Sequence, residues 1–229
     1  MHLLDRPVWH ALRSGWAALA QGDGDALRID PAYGPFAASA DDDADRLTAL
    51  AALATGESEM WLVGQNVAVA PPGMTIARTA MLAQMVAKEV IPAPAPPIEW
   101  KVLDEGDAAD MRALSLLTRP GPFGPLTHRL GRFVGVRDHG QLVAMAGERM
   151  RLPGFTEVSG VCTHPDFRGR GLAGALMRIV MQAMLDRGET PFLHAYAAHD
   201  RTIALYETLG FAVRARLPMT VLQLEGTVQ

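Results

Sequence analysis

Apolar and polar positions change their period along residues 157–188. The stretch from Glu157 to Thr163 is small, β-branched or alternating, which predicts a strand. Pro165 ends that strand, because proline has no N–H to donate to a sheet. Apolar residues then recur every third or fourth position, the period of one helix face, and these are Leu172, Leu176, Ile179 and Ala183. Gly188 is a typical helix stop. The pattern predicts a strand, a bend and a helix in succession.

The bend between this strand and this helix has the composition of an anion site. Gly169 and Gly171 lack a Cβ, so a ligand can approach the backbone closely. The first N–H groups of a helix have no internal partner, and the helix dipole makes that end positive. Arg168 and Arg170 add guanidinium groups that pair with phosphate oxygens. The bend therefore predicts a cradle for a pyrophosphate.

Two families of pyrophosphate sites compete for this stretch. Residues 169–174 match the dinucleotide fingerprint GxGxxG. In a Rossmann unit, however, the first glycine ends the strand, whereas here Pro165, Asp166 and Arg168 intervene. No comparable βαβ repeat follows, and the phosphate-loop pattern GxxxxGK[ST] is absent. The Rossmann interpretation is therefore the weaker one.

Three motifs in order resemble the GNAT superfamily of acetyl-CoA-dependent N-acyltransferases. Residues 168–173 fit its signature [QR]xxGx[GA]. Glu157 stands eleven residues earlier, where members related to the histone acetyltransferases carry a general-base glutamate. Residues 204–211 resemble the signature A-x-Y-x-x-x-G-F, whose tyrosine, here Tyr206, often serves as general acid. The resemblance covers roughly residues 99 to 225.

The resemblance implies a catalytic pair and an activity. Glu157 would accept the proton of the attacking amine, and Tyr206 would protonate the leaving thiolate. For Glu157 the alternative is an ion pair with a nearby arginine, and for Tyr206 it is a buried tyrosine with a satisfied hydroxyl. The implied reaction is direct transfer of an acetyl group from acetyl-CoA to a primary amine, on a small molecule or a peptide. A non-catalytic acyl-CoA sensor and an enzyme for longer acyl-CoA are the alternatives.

The resemblance also implies which residues bind acetyl-CoA. Backbone groups after the fourth strand hold the pantetheine and polarise the acetyl carbonyl, and the bend holds the pyrophosphate. The implied residues are Val161, Cys162, Thr163, Arg168, Gly169, Arg170, Gly171, Leu172 and Ala173. His199 stands where the family commonly has an asparagine that contacts the pantetheine arm, so its contact with the cofactor is also implied. The thiol of Cys162 has no evident partner in the sequence and is interpreted as a small strand residue.

Composition and charge exclude several other classes. The formal net charge of −4 and the pI near 6.0 argue against a general nucleic-acid binder. Cys162 is the only cysteine, so no intrachain disulfide can form. We find no signal-peptide pattern and no apolar run of membrane-spanning length, and we expect a cytoplasmic protein without a membrane partner. His164 and His194 are spaced unlike a metal pair, so no metal is expected. A homodimer is left open.

Proline positions divide the chain. Residues 92–98, rich in proline and alanine, predict a stiff linker. Residues 1–91 would then form a small N-terminal α/β domain, and residues 99–229 the GNAT domain. The expected fold class is α/β, with the mixed, mostly antiparallel sheet and flanking helices of the GNAT fold. We expect the N-terminal domain and the loop at 118–131 to wall the acceptor site. We also expect a helix or mixed segment over 76–87 and a closing strand pair at 211–216 and 219–224.

Overall fold

The computed structural model describes residues 2–56, 59–93 and 98–226. Within these ranges the α-helices are α1 (Pro7–Leu12), α2 (Ala44–Ala52), α3 (Ala108–Thr118), α4 (Leu172–Asp186) and α5 (Asp200–Glu207). The strands are β1 (Ala20–Gly22), β2 (Ala26–Ile29), β3 (Ala37–Ser39), β4 (Met60–Val63), β5 (Met74–Ala87), β6 (Lys101–Leu103), β7 (Phe133–Asp138), β8 (Gln141–Leu152), β9 (Phe155–Thr163), β10 (Thr190–Tyr196) and β11 (Phe211–Leu224).

Eight of these strands form one sheet, in the order β4-β11-β5-β10-β9-β8-β7-β6. Its neighbours are antiparallel except β9 and β10, which are parallel. The first three strands form a separate small antiparallel sheet. The mixed, mostly antiparallel sheet with flanking helices confirms the expected fold class.

The prediction of a helix or mixed segment over 76–87 is wrong, because β5 spans the whole of it. Its second half is buried without interruption from Leu82 to Met85, since both faces of the sheet are covered there. Neither the helical nor the alternating period is visible in such a stretch. β5 pairs with β10 on one side and with β11 on the other.

This pairing crosses the boundary that we predicted at 92–98. Residues 60–63 and 74–87 lie in the large sheet, and the small sheet with α1 and α2 is joined to it by an isolated bridge between Phe36 and Trp61. Residues 94–97 of the predicted linker lie outside the described residues. The division into domains therefore stays a prediction, and the strand pairing does not follow it.

The predicted closing pair is wrong, because residues 211–224 form one strand, β11. Pro218 lies between the two predicted strands. β11 instead continues through it with two register irregularities, at Val213/Ala215 and Val221/Leu222. β4 pairs with β11 only from Met219 onward. Pro218 lies beside that pairing, where its carbonyl oxygen accepts a hydrogen bond from the Gly64 N–H at 3.3 Å, so its missing N–H falls at the end of the ladder with β4.

The two faces of the large sheet carry two different cores. On β10 the side chains alternate, so that Phe192 joins one core and Leu193 the other. Helix α4 covers the face of Leu193. The residues that precede the predicted linker, called the N-terminal region from here on, cover the face of Phe192. Trp9 and Trp16 are among their buried side chains. The N-terminal region is therefore packed directly on the sheet that carries the site.

Candidate active site

The predicted cradle has the conformation that its glycines suggested. A single 3-10 turn at Pro165–Phe167 leads to Gly169 and Gly171, whose φ angles are +77° and +74°. α4 begins directly after them, at Leu172. A Cβ at either glycine would meet no atom within 4 Å. Glycine is thus required here by the left-handed backbone, and the space in front of the loop is open.

The loop lines a groove of about 670 Å³ at the N-terminal end of α4. Nine of the predicted cofactor residues line it: Val161, Cys162, Thr163, Arg168, Gly169, Arg170, Gly171, Leu172 and Ala173. Arg178, one helix turn further on, joins them. No carboxylate is among the described lining residues, so three guanidinium groups and free helix N–H groups face the groove. This donor set fits a polyphosphate.

The side chains of Arg168 and Arg170 make weak contacts with the rest of the protein. Arg168 Nε lies 3.4 Å from the carbonyl oxygen of Thr163, and the Arg170 guanidinium lies 4.6 Å from the ring centre of Phe167. Both side chains are exposed and neither is in an ion pair among the described residues. Their charge is therefore available to a ligand.

The sheet opens beside this groove. β9 and β10 pair only between Phe155–Glu157 and Thr190–Phe192, and the two strands separate beyond that point. On its other side β9 stays paired with β8, although the register is irregular near Gly160, whose φ is +63°. The part of β9 from Val158 to Thr163 thus has one edge without a partner strand, which leaves backbone groups free to bind a ligand.

A second cavity, of about 160 Å³, lies beside this opening and is lined by residues 157–161 of β9. Its walls come from the sheet, from the N-terminal region with Phe36 and Trp61, and from the loop residues Pro120–Pro122. The cavity and the groove share four lining residues, which are Pro120, Val161, Thr202 and Tyr206. The two spaces therefore meet at the open edge of β9.

Glu157 is fully buried in this second cavity and forms an ion pair with Arg149 on β8. Arg149 donates from Nε and Nη2 to the two carboxylate oxygens, at 2.8 and 2.9 Å. His194 on β10 contacts Oε1 through Nδ1 at 2.8 Å. Burial alone would raise the pKa of this carboxyl, but Arg149 and His194 hold it well below its ordinary 4.5. Glu157 thus forms the ion pair that the sequence left open as its alternative role.

A hydrogen-bonded chain continues from Glu157 toward the N-terminus. His194 Nε2 lies 3.1 Å from Nε2 of Gln84, a fully buried residue of β5. Arg214 Nη1 donates to Gln84 Oε1 at 2.7 Å, which fixes the amide with its NH₂ toward His194. That NH₂ also donates to the carbonyl oxygen of Leu4 at 2.8 Å. His194 Nε2 must therefore accept, and the ring proton lies on Nδ1, facing Glu157.

Tyr206 lies where the two spaces meet, and burial raises the pKa of its phenol. The phenol therefore stays protonated through neutral pH, as a general acid must. His199, at the N-cap of α5, lines the second cavity beside Tyr196, with ring centres 5.3 Å apart. His199 is not among the residues that line the groove, and of the other predicted cofactor residues only Val161 lines the second cavity with it.

The thiol of Cys162 is buried against the core around Phe133 and Met145. Burial raises its pKa to about 11, so the thiolate is scarce at neutral pH. Its backbone lies at the edge of the groove. This agrees with the interpretation of Cys162 as a small strand residue.

Sequence reasoning missed the residues that surround Glu157. His194 was considered only for metal binding, and Arg149, Phe36 and Trp61 were not singled out. Arg149 carried a usable signal, because it lies in the largely apolar strand β8 and a charge in such a strand needs a partner. Phe36 and Trp61 had none, since their contact with the site depends on how the N-terminal region folds back.

The described residues lack two features that would have pointed to other functions. No group of three or more His, Cys, Asp or Glu side chains is arranged to hold a metal ion. None of the described helices has the length and apolar character needed to cross a bilayer.

Comparisons with known proteins were made at the level of sequence and structure. The FR47-like family matches residues 133–217. A solved structure from Novosphingobium aromaticivorans, described as a candidate acetyltransferase of the GNAT family, is 46% identical, covers 98% of this chain and 100% of its own, and has a TM-score of 0.92. A GCN5-related N-acetyltransferase from Kribbella flavida shares the fold, with a TM-score of 0.65, 20% identity and coverage of 96% and 95%.

A curated relative matches a shorter segment. The mycothiol acetyltransferase of Corynebacterium aurimucosum is 39% identical over 62 residues, which are 27% of this chain and 20% of that protein. The chain thus spans a fifth of the length of this relative. The near-complete match to the Novosphingobium structure is what decides the family: the chain belongs to the GNAT family of acetyltransferases. The predicted class of enzyme, an acyltransferase, is confirmed with it.

Proposed function

We propose that this protein transfers an acetyl group from acetyl-CoA to a primary amine by direct attack. The observation that carries this proposal is that a cationic groove and a second cavity meet beside the open edge of β9. Both spaces are lined there by Val161 of β9 and Tyr206 of α5. A transferase with two substrates needs two spaces that join at the reacting atoms.

In this proposal the groove binds acetyl-CoA. The N–H groups at the start of α4, with Arg168 and Arg170, hold the pyrophosphate. The backbone of residues 161–163 holds the pantetheine and polarises the thioester carbonyl. Acetyl-CoA supplies the thioester carbon that is attacked. His199 lines the second cavity, so in this proposal it would contact the amine acceptor.

The chemistry at the junction follows from the groups present. The neutral amine attacks the thioester carbon, so that a C–N bond forms and the C–S bond breaks. Tyr206 gives its phenolic proton to the departing sulfur and recovers a proton that the amine nitrogen loses. The products are the acetylated amine and CoA with a free thiol. Burial in a largely apolar cavity favours the neutral form of the amine before attack.

The ion pair favours a positioning role for Glu157 over the role of a general base. Its two oxygens already accept three hydrogen bonds, and its pKa lies far below neutral pH. A carboxylate of this kind is a weak proton acceptor. We propose that Glu157 acts mainly by fixing Arg149 and His194 in place. A pH profile separates this role from general base catalysis, as described in the Discussion.

The experiment that tests the function combines binding with turnover. Melting temperature is measured with CoA, acetyl-CoA, NAD and ATP, and a ligand at a hundred times its Kd should stabilise by roughly 2.7 kcal/mol. Thiol release from acetyl-CoA is then followed with a panel of primary amines, and product masses are checked. CoA binding together with amine-dependent thiol release supports the proposal.

The other outcomes identify the alternatives. CoA binding without turnover on any amine would favour a sensor, and turnover only with longer acyl-CoA would favour a different donor. A shift with NAD alone would contradict the proposal. Tyr206→Phe serves as the control for uncatalysed thiol release.

A further inference from the structure

We propose that the second cavity takes a monoamine with a single-ring apolar body and one oxygen that accepts a hydrogen bond from Arg149 Nη1. This inference rests on the proposed function, because it names the acceptor of the same site. It commits to a chemical class that neither the family nor its motifs specify.

Arg149 is held through its backbone by Trp16 and through its guanidinium by Glu157 and Phe36. Its carbonyl oxygen accepts a hydrogen bond from Trp16 Nε1 at 3.1 Å. Its Nε and Nη2 are both used by Glu157. Its guanidinium lies over the ring of Phe36, with Cζ 4.7 Å from the ring centre. A side chain restrained in this way loses little further entropy when it binds a ligand.

One nitrogen of this fixed guanidinium remains. Nη1 has no hydrogen-bond partner among the described residues, whereas Nε and Nη2 do. The side chain is only 11% exposed, and Arg149 lines the cavity. Nη1 is also not among the fully buried unsatisfied atoms, so it reaches the open space. A pre-positioned donor that faces a cavity is suited to a ligand oxygen.

The body of the ligand follows from the walls. Apolar side chains form much of the wall away from the groove, among them Phe36, Trp61, Val63, Leu82, Met150 and Met219. The cavity volume is about 160 Å³. An apolar cavity of about 150 Å³ binds benzene, so one ring is the size that fits. The amine tail can extend beyond this volume, because the cavity opens into the groove at Tyr206.

Charge excludes two other classes of acceptor. Among the described lining residues, Arg149 is the only permanent cation and Glu157 the only carboxylate, and they neutralise each other. A second ammonium group, as in a polyamine, would find no free carboxylate. A ligand carboxylate would find no second cation, and an uncompensated charge is costly in such a cavity. A neutral oxygen can use Nη1 without either cost.

The orientation of the ligand is set by the shared residues. The amine must lie near Val161 and Tyr206, where the cavity meets the groove. Arg149, Phe36 and Trp61 line the cavity alone, so they surround the other end. Glu157, which holds Arg149, is four residues from Val161 on β9, and this corresponds to at most roughly 13 Å along a strand. One ring with a two-carbon amine tail and a hydrogen bond at each end spans this length.

The test compares two amines of equal size. 2-(4-Methoxyphenyl)ethylamine and 2-(4-ethylphenyl)ethylamine differ only by an oxygen in place of a methylene. Their Kd values are measured by calorimetry with the full chain in the presence of CoA, so that no turnover is needed. One hydrogen bond to a charged donor predicts about tenfold to a hundredfold tighter binding of the methoxy compound. Phenylalanine and 1,4-diaminobutane should bind more weakly than either.

Variants assign the preference to Arg149. Arg149→Lys keeps a cation beside Glu157 but loses Nη1, so the ratio of the two Kd values should fall to near one. The matched control is Arg151→Lys on the same strand, whose ion pair with Glu189 lies outside the cavity, and it should keep the ratio. Because the readout is a ratio within one protein, a general loss of stability does not imitate the result.

Each outcome of these measurements either supports or overturns the inference. Equal affinities in the wild type, tighter binding of phenylalanine or the diamine, or no binding of any of the four compounds would overturn the inference. A preference that survives in Arg149→Lys would overturn the assignment to Arg149. Binding with the expected ratio but without acetyl transfer would support the inference about the ligand while contradicting the proposed function.

Discussion

Replacing Gly171 by alanine tests the phosphate cradle directly. Gly171 has a φ of +74°, in the left-handed region, and precedes the first residue of α4. The added methyl group would meet no protein atom within 4 Å. The substitution therefore leaves the packing of the free protein unchanged and acts in two ways only. It strains the backbone, and it places a methyl group at the edge of the groove.

The two effects have different magnitudes. A non-glycine residue in the left-handed region costs roughly 1–2 kcal/mol, which shifts the melting temperature of a chain this size by about 2–8 °C. Loss of close contact between the loop and a phosphate removes at least one hydrogen bond to a charged group, worth about 1.5–3 kcal/mol. The affinity for CoA should therefore fall by about tenfold to a hundredfold.

Gly188 provides a matched control at the opposite end of the same helix. Its φ is also +74°, and an added Cβ would again meet nothing within 4 Å. Gly188 lines neither the groove nor the second cavity. Melting curves of both alanine variants, and calorimetric Kd values for CoA, complete the assay. We expect equal losses of stability but a loss of CoA affinity in Gly171→Ala alone.

Two results would refute the reasoning. If Gly171→Ala binds CoA as tightly as the wild type, the backbone at this position does not approach a phosphate. If Gly188→Ala loses as much affinity as Gly171→Ala, the loss comes from general destabilisation, and the groove is not thereby assigned to CoA.

Further predictions concern three residues around the junction, which are Glu157, Tyr206 and Cys162. Glu157→Gln should lower kcat by the same factor from pH 6 to pH 9, because the carboxyl is ionised throughout this range. A fall of kcat at low pH that occurs only in the wild type would identify Glu157 as a base instead. Since the folded pKa of Glu157 is depressed, its contribution to stability is full above about pH 4.5 and is lost as the pH falls toward 2, so acid unfolding of the variant should depend less on pH in this range. Tyr206→Phe should lower kcat by roughly 10²-fold or more with an unchanged Kd for CoA, whereas Tyr196→Phe should not, and equal rates in the two variants would remove Tyr206 as the acid. The thiol of Cys162 should react with a disulfide reagent only after unfolding, and rapid labelling of the native protein would contradict its burial.

The cradle could be predicted from sequence because its physics is local. Gly169, Gly171 and the arginines beside them lie within a few residues of the helix that they precede. Backbone conformation, helix dipole and charge all follow from that short stretch. The strand before α4 was found for the same reason, since its residues are small, β-branched or alternating and Pro165 marks its end.

The second cavity could not be predicted in this way. Phe36 and Arg149 are far apart in the chain and meet only because the N-terminal region packs on one face of the sheet. β5 was missed because its buried half shows neither period. Glu157 was found from its place before the cradle, but its environment depends on His194 from the parallel neighbour β10. Residues that meet through strand order, rather than through spacing, leave no pattern in a single sequence.

The position of β5 changes what the N-terminal region contributes to the protein. This strand lies between β10 and β11, so residues 99–226 alone would leave two strands of the sheet without their neighbour. From β5, Gln84 also supplies the amide that fixes the tautomer of His194, which in turn contacts Glu157. An N-terminal region that merely walled the acceptor site could vary without affecting the sheet. Here the same residues complete the sheet and hold the buried ion pair, so acceptor specificity and folding are expected to change together when this region is altered.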